Sequence, residues 1–261
     1  MHFPVEFELG KMTLKAHFVL EVMAYFIGYH FYLYQAKKTN FLSEDNRLWI
    51  ITGGILGAAF FSKLLGLMEH PQLFALSVES WYYLVSSKTI VGGLLGAIIG
   101  VEIAKKFLGI KKSTGDNFCF PAILGIIIGR LGCFLEGADD GTWGNPTSFI
   151  LGIDGGDGTL RHPTPLYEIM VLSFIWLLLL FIKRKIRLAE GGLFKIFMVL
   201  YLSWRLSIEF IKPVYLIEPI GLSAIQIACV MGLVYYIKVI LKSKKQISYD
   251  SSHTINLDKK R

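Results

Sequence analysis

The chain has 261 residues, 53% of them hydrophobic and 18% charged. That balance excludes an ordinary soluble domain, and apolar blocks along the whole length point to one polytopic membrane bundle. Its formal net charge is +7, but the basic residues gather at the ends of apolar segments, where they set membrane topology rather than a nucleic-acid surface.

The first fifteen residues lack the basic-then-apolar order of a cleaved signal peptide, so the first apolar block reads as a retained span. Windows of roughly twenty apolar residues can cross a bilayer, and about seven are predicted. They run from His17 to Tyr34, Leu48 to Met68, Thr89 to Leu108, Phe118 to Leu135, Leu166 to Ile182, Leu193 to Ile211 and Ile217 to Leu241. The fold class is therefore all-α, a polytopic membrane helix bundle. The stretch from Leu73 to Val85 is short and mixed and reads as a re-entrant or interfacial helix, with Trp81, Tyr82 and Tyr83 at headgroup level.

In the first span Glu21 is a lone acid, which predicts that it faces the bundle interior. Gly53, Gly54 and Gly57 in the second span, and Gly92, Gly93, Gly96 and Gly100 in the third, fall at spacings that let helix backbones approach closely. Gly92 and Gly93 could also admit a lipid tail or headgroup. The fourth span ends in Gly129-Arg130-Leu131-Gly132-Cys133-Phe134-Leu135-Glu136-Gly137. A guanidinium at membrane depth costs several kcal/mol unless it is paired or faces a wet cavity. Its fork matches phosphate oxygens, so an anionic lipid headgroup is the leading ligand.

The longest loop follows, from Glu136 to Pro165, with Asp139, Asp140, Asp154 and Asp157. Its Gly155-Gly156-Asp157-Gly158 run does not have calcium-loop spacing and reads as a solvated turn. His162 to Glu168 opens the fifth span, with Thr164 as its cap and Glu168 favourable to the helix dipole; His162 is either an inert surface residue or a catalytic one. In the sixth span Arg205 and Glu209, four apart, share a face, either as a structural pair or as part of a site. Lys212 is expected to snorkel to the interface. Residues 1–242 form the membrane domain, and residues 243–261 read as a basic, disordered cytoplasmic tail. Cys119, Cys133 and Cys229 show no CxxC spacing, which argues against a disulfide framework or zinc site and leaves three small buried apolar residues.

Alternate loops carry the basic residues: Lys37, Lys38 and Arg47; Lys105, Lys106, Lys111 and Lys112; Lys183, Arg184, Lys185 and Arg187. Positive-inside bias then places the N-terminus outside and the C-terminus in the cytoplasm. Arg130 and Arg205 both fall toward the outer ends of their spans, so they can converge, with Lys212, on one phosphate trap. A small-solute transporter using Arg205, Glu209 and Glu21 is the alternative of another class; no internal repeat supports it.

These segments together resemble the prolipoprotein diacylglyceryl transferase family. The run from Gly129 to Gly137 is similar to its signature Gly-Arg-(Leu/Ile)-Gly-Asn-Phe-x-Asn-Gly-Glu, and His162 to Glu168 to its His-Pro-(Ser/Thr)-Gln-Leu-Tyr-Glu. Tyr201 to Pro213 is similar to Arg-x-x-x-Glu-Phe-x-Arg-x-Pro, with Arg205, Glu209 and Phe210 in place, Lys212 at the second arginine and Pro213 one position early, and Val91 to Gly96 falls where the family has His-Gly-Gly-Leu-x-Gly. The resemblance implies transfer of diacylglyceryl from phosphatidylglycerol, or a similar anionic phospholipid, to the lipobox cysteine thiol presented by a prolipoprotein signal peptide. It implies a multi-pass protein of the bacterial cytoplasmic (inner) membrane, with no cofactor and no metal. Catalytic candidates are Arg130, Arg205, Glu136 and His162; substrate-binding candidates add Glu209, Lys212, Gly92, Gly93, Gly137 and Tyr201. Val91 stands where the family has histidine, Cys133 and Glu136 replace two asparagines, and Ala138 replaces a glutamate. A divergent paralogue that binds phospholipid or uses another acceptor is the reading those departures open.

Overall fold

The computed structural model describes residues 2–10, 12–39, 42–71 and 87–258, with side chains through Leu241 except those of Leu9, Met12 and Thr39. The re-entrant helix predicted from Leu73 to Val85 lies outside the described residues, as do the side chains of the tail predicted from residue 243. Seven α-helices are described: α1 (Ala16–Thr39), α2 (Glu44–Met68), α3 (Ile90–Phe107), α4 (Asp116–Glu136), α5 (Thr164–Lys185), α6 (Gly192–Ile208) and α7 (Ala224–Asp258). Two short antiparallel pairs join them, β1 (Glu6–Leu9) with β2 (Met12–Lys15) and β3 (Ile153–Asp154) with β4 (Leu160–Arg161).

Each predicted window is helical, with one displaced start. The last span begins at Ala224 and not at Ile217. Ile217 instead pairs with Leu222 across a turn containing Pro219 and Gly221, the latter at φ +68°. Ser223 and Gln226 then close a reciprocal cap. Ser223 Oγ accepts from Gln226 N at 3.1 Å, and Gln226 Oε1 accepts from Ser223 N at 2.8 Å; this capping box sets the true helix start. The α5 start also differs from expectation, because Thr164 makes no cap. Its hydroxyl donates to Thr142 O and ties the preceding loop to the helix.

By length and composition, α2, α4, α5 and the Ala224–Leu241 part of α7 can cross a membrane. Their large outward residues, among them Trp49, Phe60, Phe174, Leu177, Phe181 and Met231, are exposed. Such a continuous apolar surface suits lipid and not water.

The bundle is built from antiparallel neighbours. Along α1 and α4, Gly132 meets His17, Gly125 meets Ala24, and Gly28 meets Pro121; Tyr32 stacks on Phe118 at 4.0 Å. Helices α2 and α3 approach more closely. A Cβ on Gly100 would lie 2.0 Å from Gly53 O, and one on Gly96 would lie 2.3 Å from Gly57 O. Lipid tails are as apolar as leucine, so close backbone packing must hold such a pair. Gly92 belongs to this seam, facing Phe61 O at 2.5 Å, so it packs helices rather than opening a lipid slot; Gly93 is looser, with Ser62 Cβ at 3.9 Å.

Gly100→Val is therefore expected to lower the thermal midpoint of the detergent-solubilised protein by about 5 °C or more. Gly129→Ala, at a position with nothing within 4 Å, should move it by no more than about 1 °C. Equal midpoints for the two variants would overturn the seam.

Candidate functional site

At the end of the bundle opposite the basic loops, three helices and a 3-10 turn bring ionisable groups together. Arg130 comes from the last two turns of α4, Glu168 from the first turns of α5, and Tyr201 and Arg205 from α6. Glu209 and Lys212 follow in the 3-10 turn after α6. Tight helix packing around α6 places these polar side chains where lipid and bulk water are both excluded.

Glu168 is the hub. Its Oε1 accepts from Tyr201 Oη at 2.7 Å, and its Oε2 accepts from Arg205 Nη1 at 3.1 Å. The same Oε2 lies 2.7 Å from Arg130 Nε. Arg205 also donates through Nη2 to Glu209 Oε2 at 2.8 Å, and Lys212 Nζ lies 3.7 Å from Glu209 Oε1. Glu168 is 2% exposed and Glu209 1%, so this network has almost no solvent to screen it. Lys212 does not snorkel: it is drawn inward by Glu209, and burial holds its ammonium below the ordinary lysine range.

The shared carboxylate places Arg130 and Arg205 in one site, as their span positions predicted. Three cations, Arg130, Arg205 and Lys212, pair directly with two carboxylates, Glu168 and Glu209, and the buried carboxyls of Glu69 and Asp140 lie close enough to act on Lys212 and Arg130. Both arginine Nε groups are buried with no acceptor in line for their N–H. Arg205 Nε thus has no partner and Arg130 Nε only a misaligned one; such buried donors are uncommon and costly, and an added phosphate oxygen would satisfy them.

Other predicted site residues fall elsewhere. Glu136, at the end of α4, pairs with Lys15 of β2 and does not neutralise Arg130; that bond raises the Lys15 ammonium above its usual range. Its second oxygen, Oε2, is buried without a partner. His162 turns toward Tyr167, with Nδ1 3.3 Å from the phenol oxygen, and packs on Phe149. Gly137 adopts φ +84°, and a Cβ there would sit 2.4 Å from Gly155 O, so it shapes the loop entry. Glu21 is only half-buried and pairs with Lys88, because Lys88 stands just before α3 beside the α1 surface. Tyr201 is fully buried and orients Glu168.

The loop after α4 folds as its composition predicted. Asp154 Oδ1 accepts from Gly156 N at 2.8 Å and Gly158 N at 3.0 Å, so this carboxylate oxygen caps a turn. Phe3 packs edge-on against the stacked rings of Phe134 and Trp143, and Val5 N donates to Leu135 O at 2.8 Å. The N-terminal hairpin is thereby fastened over the end of α4.

Two residues that the sequence reading undervalued sit at the centre. Glu168 was assigned to the helix dipole, yet it bridges both arginines. Cys133, expected to be merely apolar, has polar neighbours: Arg130 Nη1 donates to its Sγ at 3.6 Å, and Asp140 and His17 are adjacent. Cys119 and Cys229 are buried as expected.

A profile of the prolipoprotein diacylglyceryl transferase family matches residues 4–242. Three proteins, each called phosphatidylglycerol–prolipoprotein diacylglyceryl transferase, are similar to the chain. That of Dehalococcoides mccartyi is 27% identical over 216 residues, covering 80% of this chain and 82% of the relative. That of Geobacter sulfurreducens is 30% identical over 225 residues, with 80% and 82% covered, and that of Ehrlichia ruminantium is 29% identical over 224 residues, with 80% and 83% covered.

Proposed function

Because the chain belongs to the prolipoprotein diacylglyceryl transferase family, we propose that the arginine cluster is where it carries out that family's reaction. The protein is a membrane transferase that moves diacylglyceryl from phosphatidylglycerol to a prolipoprotein. The acceptor is the lipobox cysteine thiol presented by the signal peptide, and the product released is glycerol phosphate. The observation that carries this reading is the convergence of two buried guanidinium groups on one carboxylate.

In this reading Arg130 and Arg205 take the lipid phosphate and stabilise the charge that grows as glycerol phosphate leaves, with Lys212 adding to the field. Glu209 holds Arg205 and Lys212, and Tyr201 positions Glu168, so both are positioning residues. Gly93 borders the lipid path and Gly137 the loop above it. The thiol attacks only as thiolate, so a base or a positive field must act on it. Val91 is apolar and packed in the core, which leaves that task to other groups; Glu136, with its unpartnered Oε2, is the nearest carboxylate in the sequence, and His162 is second. Basic loops at the opposite end support a cytoplasmic face there; the setting proposed is the bacterial inner membrane, with all seven helices crossing and the cluster near the outer leaflet.

The test is direct. Purified protein is incubated with phosphatidylglycerol labelled in its acyl chains and a lipobox peptide. Label is expected on the cysteine peptide and absent from its serine counterpart. No label, under conditions where the Geobacter relative succeeds, would overturn the assigned reaction. Retained lipid binding would then favour the paralogue reading.

A further inference from the structure

We propose that His17, Cys133 and Asp140 form a binding site for a divalent transition metal of the zinc class, beside the arginine cluster. The three come from different elements: the first turn of α1, the last turn of α4, and the 3-10 turn Ala138–Asp140. One ligand atom from each lies within 4.8 Å of the other two. His17 Nδ1 and Asp140 Oδ1 are 3.5 Å apart. Tetrahedral zinc bonds of roughly 2.0–2.3 Å place neighbouring ligands about 3.4–3.6 Å apart. One edge of the tetrahedron therefore already has its length, and the other two need to close by little more than 1 Å.

The chemistry of the donors agrees. Imidazole nitrogen, thiolate sulfur and carboxylate oxygen are a mixed set that borderline-soft zinc accepts and that magnesium or calcium does not prefer. A thiolate and a carboxylate match the two positive charges of the ion. The outer contacts are also in place. Thr142 Oγ1 donates to Asp140 Oδ2, which leaves Oδ1 directed at His17, and Thr164 Oγ1 holds Thr142 from the start of α5. Such second contacts orient ligands and raise affinity. Gly132 leaves the room: a Cβ there would meet the His17 ring at 3.0 Å.

Three protein ligands leave a fourth position open, which is the pattern of catalytic rather than structural zinc. This use of the site rests on the transferase reading above. The open position accepts the acceptor cysteine: its S–H bond breaks, the proton leaves to solvent, and an S–metal bond forms. The sulfur electron pair then makes a bond to the terminal glyceryl carbon as that carbon's bond to the phosphate oxygen breaks. The bonding pair departs with glycerol phosphate, held by Arg130 and Arg205. The metal thus supplies the thiolate for which Val91 offers no base.

Cobalt(II) is the probe, since a cobalt–thiolate bond absorbs in the near ultraviolet whether or not any lipid turns over. Chelator-treated full-length protein in detergent should gain that band stoichiometrically. Cys133→Ser should remove the band, and His17→Gln and Asp140→Asn, which keep the thiol, should weaken cobalt binding at least tenfold. Cys229→Ser should leave it intact. No band in the native protein, or a band that survives Cys133→Ser, overturns the site. A lipobox peptide should shift the band and its serine counterpart should not; an unshifted band overturns the acceptor role. These readouts need no phospholipid, so they stand apart from failure of the transfer assay.

Discussion

Glu168→Gln is expected to abolish measurable transfer and to destabilise the bundle by about 3–5 kcal/mol, the usual result of removing one partner from a buried ion pair. The reasoning starts from geometry. One carboxylate oxygen serves both Arg130 and Arg205, and the other accepts the Tyr201 hydroxyl. Glutamine keeps the shape but removes the charge, leaving Arg130 without its carboxylate partner and Arg205 with Glu209 alone. The guanidinium groups would then separate or recruit water, and the geometry that receives a phosphate would be lost with them. Thermal denaturation in detergent reports the stability change, and labelled-peptide formation reports the activity. A variant with native melting and at least half the native rate would show that Glu168 is a bystander.

The second large effect is expected from Arg130→Lys and Arg205→Lys. Each keeps a positive charge, so a site that needs only charge would tolerate them. A site that needs the planar fork would not, because lysine cannot engage carboxylate and phosphate oxygens together. We expect initial rates to fall on the order of 10²–10³-fold, as for loss of one preorganised donor in other enzymes. The two should differ in stability. Arg205 bridges Glu168 and Glu209 through separate nitrogens, so its replacement loosens α5 from α6. Arg130 makes one such link, so its variant should melt closer to the native protein. Rates within threefold of native for both would remove the arginines from the chemistry.

How much of this was legible in the sequence follows from the range of each interaction. Apolar windows located all seven helices because hydropathy is a local property of some twenty residues. The start of α7 was misplaced, although Pro219, Gly221 and the Ser223-x-x-Gln226 box all stood in the sequence; hydropathy alone outvoted them. The β1–β2 hairpin was also passed over, despite the alternation from Glu6 to Leu9 and the turn glycine Gly10 at φ +66°. Arg205 and Glu209 were paired correctly because four residues is one helical turn. Glu168 was misassigned because the helix dipole gave it a sufficient local reason. The signal was available in charge counting: two buried arginines and a lysine require more than one carboxylate. The grouping of His17 with Cys133 and Asp140 had no sequence signal, since more than a hundred residues separate the first two and only folding of α1 along α4 joins them.

The carboxylate shared by the two guanidinium groups also bears on turnover. On the proposed reading an incoming lipid phosphate does not enter a vacant hole; it must share the two forks with an anion that is permanently tethered there. Between cycles Glu168 keeps both forks aligned, so little side-chain ordering is left for the lipid to impose. After transfer the same tether works in the opposite direction, because its local concentration cannot be diluted and it competes with the departing glycerol phosphate at every attempt to rebind. A site built to seize phosphate without such a competitor would retain its product; this one carries its own eluant.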